Sequence, residues 1–258
     1  MNLTKRQKII IASFLITIGL LSTQTTSAFF LRYKFILGLG VLAYLLALWA
    51  LWEGMTRLKA VVLLVLPTLF TLAVSSFYFL LPIRWLTRLP VAIIFGLSFY
   101  SLMLSQNVFN VAAIRTIPLY RAASTVSFLF TLVTAFFLFN VVFAFNLPFY
   151  WNALAVFLIS FPLILQLLWS IEMEYISSTV LTYSFVLSLI VGEGALALSF
   201  WPVVPTIWSL TLSTIIYVIS GIALEQLRER LNRRIALEYV GVGIVVMLFG
   251  FLATSWTG

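Results

Sequence analysis

Apolar positions along this chain come in long unbroken runs rather than at alternate positions. Nine runs can be drawn, at 9–27, 35–52, 60–81, 90–106, 122–145, 152–171, 178–200, 205–224 and 237–255. Each is close to the ~20 residues that carry a helix across ~30 Å of hydrocarbon. A β-barrel would show ~10-residue segments alternating apolar and polar. The pattern predicts an all-α fold: a polytopic transmembrane helical bundle of about nine helices, forming a single integral membrane domain over residues 1–258. The first run follows "MNLTKRQK" and superficially resembles a secretory leader. The "TQTTSAFF" stretch after it has no clean A-x-A-like site, so the run is read as a membrane helix.

Polar punctuation between the runs sets an orientation. With the N terminus cytoplasmic, eleven of the fifteen Lys and Arg residues fall on the inner side. The four on the outer side are Arg32, Lys34, Arg84 and Arg88. The positive-inside rule then places the N terminus in the cytoplasm and, after nine crossings, the C terminus outside. The expected location is the cytoplasmic (inner or plasma) membrane. The outer turns "LPIRWLTRLP", "NLPFYWN" and "FWPVVP" combine Pro with Trp or Tyr, as headgroup-level turns do. Their recurrence suggests helical hairpins; ordinary interfacial composition accounts for it, and a faint internal repeat is the alternative. Pro67 and Pro162 lie inside runs, where each removes a backbone donor and favours a kink.

Two runs carry small or hydroxyl residues on one face. Run seven has Ser184, Ser188, Gly192, Ala195 and Ser199; run eight has Thr206, Ser209, Ser213, Tyr217 and Ser220. Spacings of three and four put each set on a single helical face. Small residues let membrane helices approach, and hydroxyls bond across the contact. The expected consequence is that these two helices pack through those faces; a polar lining for a solute path is the alternative.

Glu193, in "LIVGEGALAL", is the acidic residue that lies deep in a run. Leu189, Ile190, Leu196 and Ala197 surround it at helical spacing, so it points away from the small-residue face. An ionised carboxylate there is costly. A protonated acid donating a hydrogen bond to a neighbouring helix is expected, with Asn140 of run five as partner and Gly192 and Gly194 allowing close approach.

The inner end of run four, "SQNVFNVAAIRTIPLYRAAS", gathers Gln106, Asn107, Asn110, Arg115 and Arg121 around Pro118. It reads as a headgroup-level anchor, or as a ligand-binding vestibule on the cytoplasmic side. "LEQLRERLNRRIALEYV" reads as an amphipathic helix end turning near Asn232, with opposite charges at i,i+4 in Glu229/Arg233 and Arg234/Glu238. It reads as a solvated helix end with an anchoring set of charges, or as a contact for anionic lipid or a membrane-protein partner. Glu172 and Glu174 are two residues apart, which on a helix points them in different directions.

Composition narrows the chemistry. The chain is 63% hydrophobic and 9% charged, against roughly 45–50% and 25% in soluble domains. Its net charge of +8 resides between membrane runs and suits lipid headgroups, so no nucleic acid partner is expected. There is no His, Cys or Asp. That removes Ser-His pairs, H-E-x-x-H zinc sites and aspartyl dyads. It also removes the usual zinc, haem and iron–sulfur ligands. Lys5, Lys8, Lys34 and Lys59 lie outside the runs or at their edges, which disfavours a Schiff-base lysine. No enzyme activity and no cofactor are expected.

Residues 104–150, on "NVFNVAAIRT" and the Phe-rich helix after it, resemble uncharacterised multi-pass membrane proteins of small-genome bacteria. The resemblance implies a multi-pass membrane protein and brings neither an activity nor a site residue. Two functions follow from these readings. One is a structural or accessory protein binding membrane partners or lipids. The other is a small-solute or proton-coupled transporter or channel using Glu193.

Overall fold

The computed structural model describes residues 3–23, 29–79, 85–112 and 119–254. It is all-α. In chain order the helices are α1 (Lys5–Thr23), α2 (Phe29–Leu51), α3 (Arg57–Val62), α4 (Val65–Tyr78), α5 (Trp85–Ala112), α6 (Tyr120–Ala144), α7 (Phe149–Trp169), α8 (Ser178–Leu198), α9 (Pro205–Leu227) and α10 (Arg233–Leu252). With α3 and α4 taken as one span, nine helical segments among the described residues are long and apolar enough to cross a membrane. The expected helix count therefore holds. The exterior agrees: Leu97, Ile94, Leu158, Phe249 and Leu252 are all more than half exposed. On a soluble protein such a surface would aggregate; in a bilayer it meets acyl chains that are equally apolar.

The break between α3 and α4 has a local cause. Proline has no N–H, and its ring crowds the carbonyl four residues back. For Pro67 that carbonyl belongs to Leu63, where α3 ends. The Leu63 N–H still bonds to Lys59 O at 2.9 Å, closing the last turn of α3. Pro162 behaves differently: α7 continues through it as one helix. Pro90 lies near the start of α5, which begins five residues before the apolar run at 90–106.

The chain divides into two compact units, Met1–Phe130 and Thr131–Gly258, with the division falling inside α6. In the first unit α1 packs on α2 and α5, and α2 packs on α4. Close approach is local: a Cβ on Gly40 would lie 2.6 Å from Leu72 Cδ2, and one on Gly96 would lie 2.6 Å from Thr17 Oγ1. Phe70, Phe95 and Phe99 form a chain of ring contacts in its core.

In the second unit α7 and α8 form the most intimate pair, and α9 packs on both α8 and α10. Turn chemistry sets the hairpins. Asn146 takes a left-handed backbone (φ 49°) between α6 and α7, a conformation Asn tolerates well. Pro148 caps α7, and Pro205 occupies the first turn of α9 where its missing N–H costs little. Asn232 caps α10, its Oδ1 accepting from Ile235 N at 2.9 Å. The turn expected near Asn232 is therefore this cap. Arg234 and Glu238 pair at 3.2 Å. Glu229 and Arg233 cannot pair in the expected helical manner, because Glu229 sits in the turn before α10 with φ 57°. Arg228 instead meets Glu225 at 3.4 Å.

Candidate functional site

Three groups of polar side chains stand out within the units. The first ties together the ends of helices in the first unit. Helix α2 stops at Leu51, leaving carbonyls without intrahelical donors. Asn110, fully buried on α5, supplies them: its Nδ2 donates to Leu51 O at 3.0 Å and to Glu53 O at 3.1 Å. Lys59, in α3, is only 4% exposed, and its Nζ donates to Asn110 O at 3.2 Å. The Glu53 carboxylate receives Lys8 Nζ at 3.0 Å and lies 3.8 Å from Lys5 Nζ. Gly54, with φ 87°, gives the chain the left-handed turn that brings Thr56 to cap α3. Alongside, Ser105 Oγ donates to Ala123 O at 2.7 Å and Gln106 Nε2 donates to Ser127 Oγ at 3.4 Å, joining α5 to the start of α6.

This geometry corrects one expectation. Gln106 and Asn110 lie within α5, not in the connection that follows it. Both are wholly buried and engaged with neighbouring helices, so they line no open vestibule. Asn107 is half-buried, and its Oδ1 has no hydrogen-bond partner among the described residues. Arg121 is exposed at the start of α6. Arg115 and Pro118 lie outside the described residues, as do Arg84 and most of "TQTTSAFF". Reasoning from sequence misses the roles of Glu53 and Lys59. Lys59 does lie at the edge of a run, but it is buried there. The available signal is the "WEGMTRLK" turn, where a single acid stands close to Arg57 and Lys59.

The second group crosses the second unit. Asn140 of α6 donates to Thr206 Oγ1 at 3.3 Å and to Ser209 Oγ at 3.2 Å. Ser209 in turn bonds its own helix, to Pro205 O at 2.6 Å. Ser213 and Tyr217 continue the same face of α9 into a groove of about 330 Å³ shared with α6 and α10. That groove is otherwise walled by Leu132, Val133, Phe136 and Phe137, and is apolar. The first part of the α9 stripe, Thr206 and Ser209, therefore meets Asn140 of α6, which is spent on it, while Ser213 and Tyr217 line the groove. Asn140 is not the partner of Glu193.

The small-residue stripe of α8 also has a different partner from the one expected. A Cβ on Gly192 would lie 3.2 Å from both Ala153 O and Phe157 Cβ of α7. At the end of the stripe, Ser199 Oγ accepts from Asn152 Nδ2 at 3.3 Å. The buried face of α8 thus packs on α7, while Gly194 faces Leu212 and Ile215 of α9. Periodicity identifies a packing face but cannot say which of two neighbours fills it.

Glu193 makes up the third group by itself. Its side of α8 does point away from the stripe, as the spacing requires. It is exposed on the outer surface, among Leu189 (44%), Ile190 (41%) and Leu196 (40%). Within the described residues it has no hydrogen bond and no ion pair. The expected bond to a neighbouring helix of the same chain is absent because both glycine flanks are already filled by α7 and α9. Glu172, by contrast, acts locally. Its Oε2 accepts from Ser177 N at 3.1 Å in the turn before α8. Among the described residues no three of His, Cys, Asp or Glu come together to hold a metal.

No curated protein and no solved structure matches the chain. A family described as "Protein of unknown function (DUF5656)" matches residues 48–253, from the end of α2 to the end of α10. The chain is a multi-pass helical membrane protein that belongs to that family.

Proposed function

We propose that this protein is a structural or accessory component of the cytoplasmic membrane that binds other membrane proteins or lipids. Its N terminus lies on the cytoplasmic side and its C terminus outside. The observation that carries this reading is how the polar groups divide. Inside each unit, the amide side chains that could line a path are engaged in closing helix against helix: Asn110 with the end of α2, Gln106 with Ser127, Asn140 with Thr206 and Ser209; on α9, Ser213 and Ser220 are buried with no hydrogen-bond partner among the described residues. The deep acidic residue, Glu193, faces outward instead. Transport sites normally turn intramembrane ionisable groups toward the bundle interior or a water-filled cavity. The exposed basic residues at the ends of spans, Arg121 and Arg230 among them, suit contacts with anionic headgroups on the cytoplasmic face. No catalytic role, cofactor or nucleic acid enters this reading.

A transporter or channel reading has one observation in its favour, the helix broken at Leu63–Leu64. Transporters place such breaks around their binding sites near the bilayer midplane. Here the break falls within about two turns of the start of the span, beside Lys59, whose ammonium is taken up by Asn110 O. Proton flux into liposomes carrying the purified protein decides between the two. The accessory reading predicts flux equal to that of empty liposomes. Flux abolished by Glu193→Gln would replace it with the transporter reading.

A further inference from the structure

We infer that the exposed face of α8 that carries Glu193 is the surface on which two copies of this chain pair in the membrane. This rests on the accessory reading above and names one partner for it. Glu193 stands five residues before Leu198, where α8 ends. At 1.5 Å per residue that is about 8 Å inside the helix end. Side chains on a helix lean toward its N terminus. The carboxyl therefore leans away from the nearer end, deeper into the span, and cannot readily reach the headgroups by extending along the helix. No described residue of its own chain offers it a bond. A carboxyl left facing acyl chains is costly in either protonation state, so this face calls for an occupant that brings a hydrogen-bonding group at the same depth.

The pattern of exposed residues favours a second copy. On α8, Val186, Leu189, Glu193 and Leu196 are all exposed, and successive members are three or four residues apart. This is the spacing of the seam of a two-stranded helical pair, and Glu193 falls at an a-type position. In a parallel two-fold pair each a position faces its own counterpart, so the copy delivers a carboxyl at the required depth by symmetry. A protonated carboxyl donates to the carboxyl facing it. A lone polar residue at such a position also fixes register, since sliding the helices by one turn would return both groups to lipid. Ala197, exposed beside Glu193, lets the backbones approach there.

The chain contains no cysteine, which allows a direct test. Single-cysteine variants Leu189→Cys and Leu196→Cys, reconstituted in liposomes at high lipid-to-protein ratio, should form oxidative cross-linked dimers. Leu248→Cys, also exposed, on α10, should give only the collision background. Adding Glu193→Leu to Leu196→Cys should weaken self-association about tenfold, the equivalent of one good intramembrane hydrogen bond. Adding Glu193→Gln, whose amide both donates and accepts, should preserve it. All these positions face outward, so folding is not at stake. Cross-linking of Leu196→Cys no greater than that of Leu248→Cys would overturn the pairing, as would cross-linking indifferent to Glu193→Leu. Either outcome leaves the accessory reading intact, because only Glu193-dependent flux removes that.

Discussion

Glu53 sits between two lysines, and its carboxyl titrates accordingly. The Lys8 ammonium hydrogen-bonds the carboxylate, and its charge and that of Lys5 add to the effect; together they hold the group below its ordinary 4.5 against an opposing desolvation. A depressed folded pKa contributes stability that is present above the unfolded value and is lost as pH falls through the lower folded one. Thermal unfolding of the purified protein should therefore lose stability as pH drops below about 4.5. Glu53→Gln should flatten that part of the profile and lower the midpoint slightly at neutral pH, the effect being small because the pair is exposed. An unchanged profile would show that the pair contributes no stability. Asn110 and Lys59 show why such a cluster is only half legible in the sequence. Polar residues near the inner end of run four are visible there, and their abundance points to that end of α5. The partners of Asn110 are backbone carbonyls 57 and 59 residues away, at Leu51 and Glu53, and a carbonyl carries no signature in the sequence. Glu193 is the reverse case: its direction follows from helical spacing, while its partner does not.

At the scale of the helix, Gly192 tests the α7–α8 contact. The Cβ of a larger residue would already press on Ala153 O and Phe157 Cβ, and a leucine adds three more carbons. Gly192→Leu should destabilise by about 1–3 kcal/mol, the usual cost of overpacking a close contact, read as a lower thermal midpoint. Gly241→Ala on α10 is the control, since a Cβ there meets nothing within 4 Å and alanine is the better helix former. An equal response at the two positions would contradict the packing described. Most helix boundaries can be read from the chain, because apolar run length in a membrane protein is set by bilayer thickness. Pro67 can be read as a disturbance. That the helix breaks just before Pro67 while α7 continues through Pro162 is a matter of surroundings, because neighbouring groups in a membrane bundle can satisfy the carbonyl a proline frees. The hydroxyl stripes are legible as packing faces, and the assignment of α8 to α7 is not, because small residues admit any close neighbour.

At the scale of the whole molecule, apolar side chains dominate the exposed surface of the spans, the amides Asn110, Gln106 and Asn140 close contacts within each unit, and the carboxyl of Glu193 is turned outward. The central claim is that the hydroxyl faces of α8 and α9 are packing surfaces, not the walls of a water-filled path. Ser188 and Ser209 are fully buried, and Ser213 is 7% exposed. Cysteines introduced one at a time at these positions, in a chain that has none of its own, report water directly. The measurement is labelling by a membrane-impermeant maleimide added from both sides of sealed proteoliposomes. Phe200→Cys, on the exposed turn between α8 and α9, serves as the reactive reference. The packing account predicts that Ser188→Cys, Ser209→Cys and Ser213→Cys stay unlabelled until the membrane is dissolved and the protein unfolded. Labelling of Ser209→Cys and Ser213→Cys in the intact membrane would mean that water reaches the face of α9, and the packing account would be wrong.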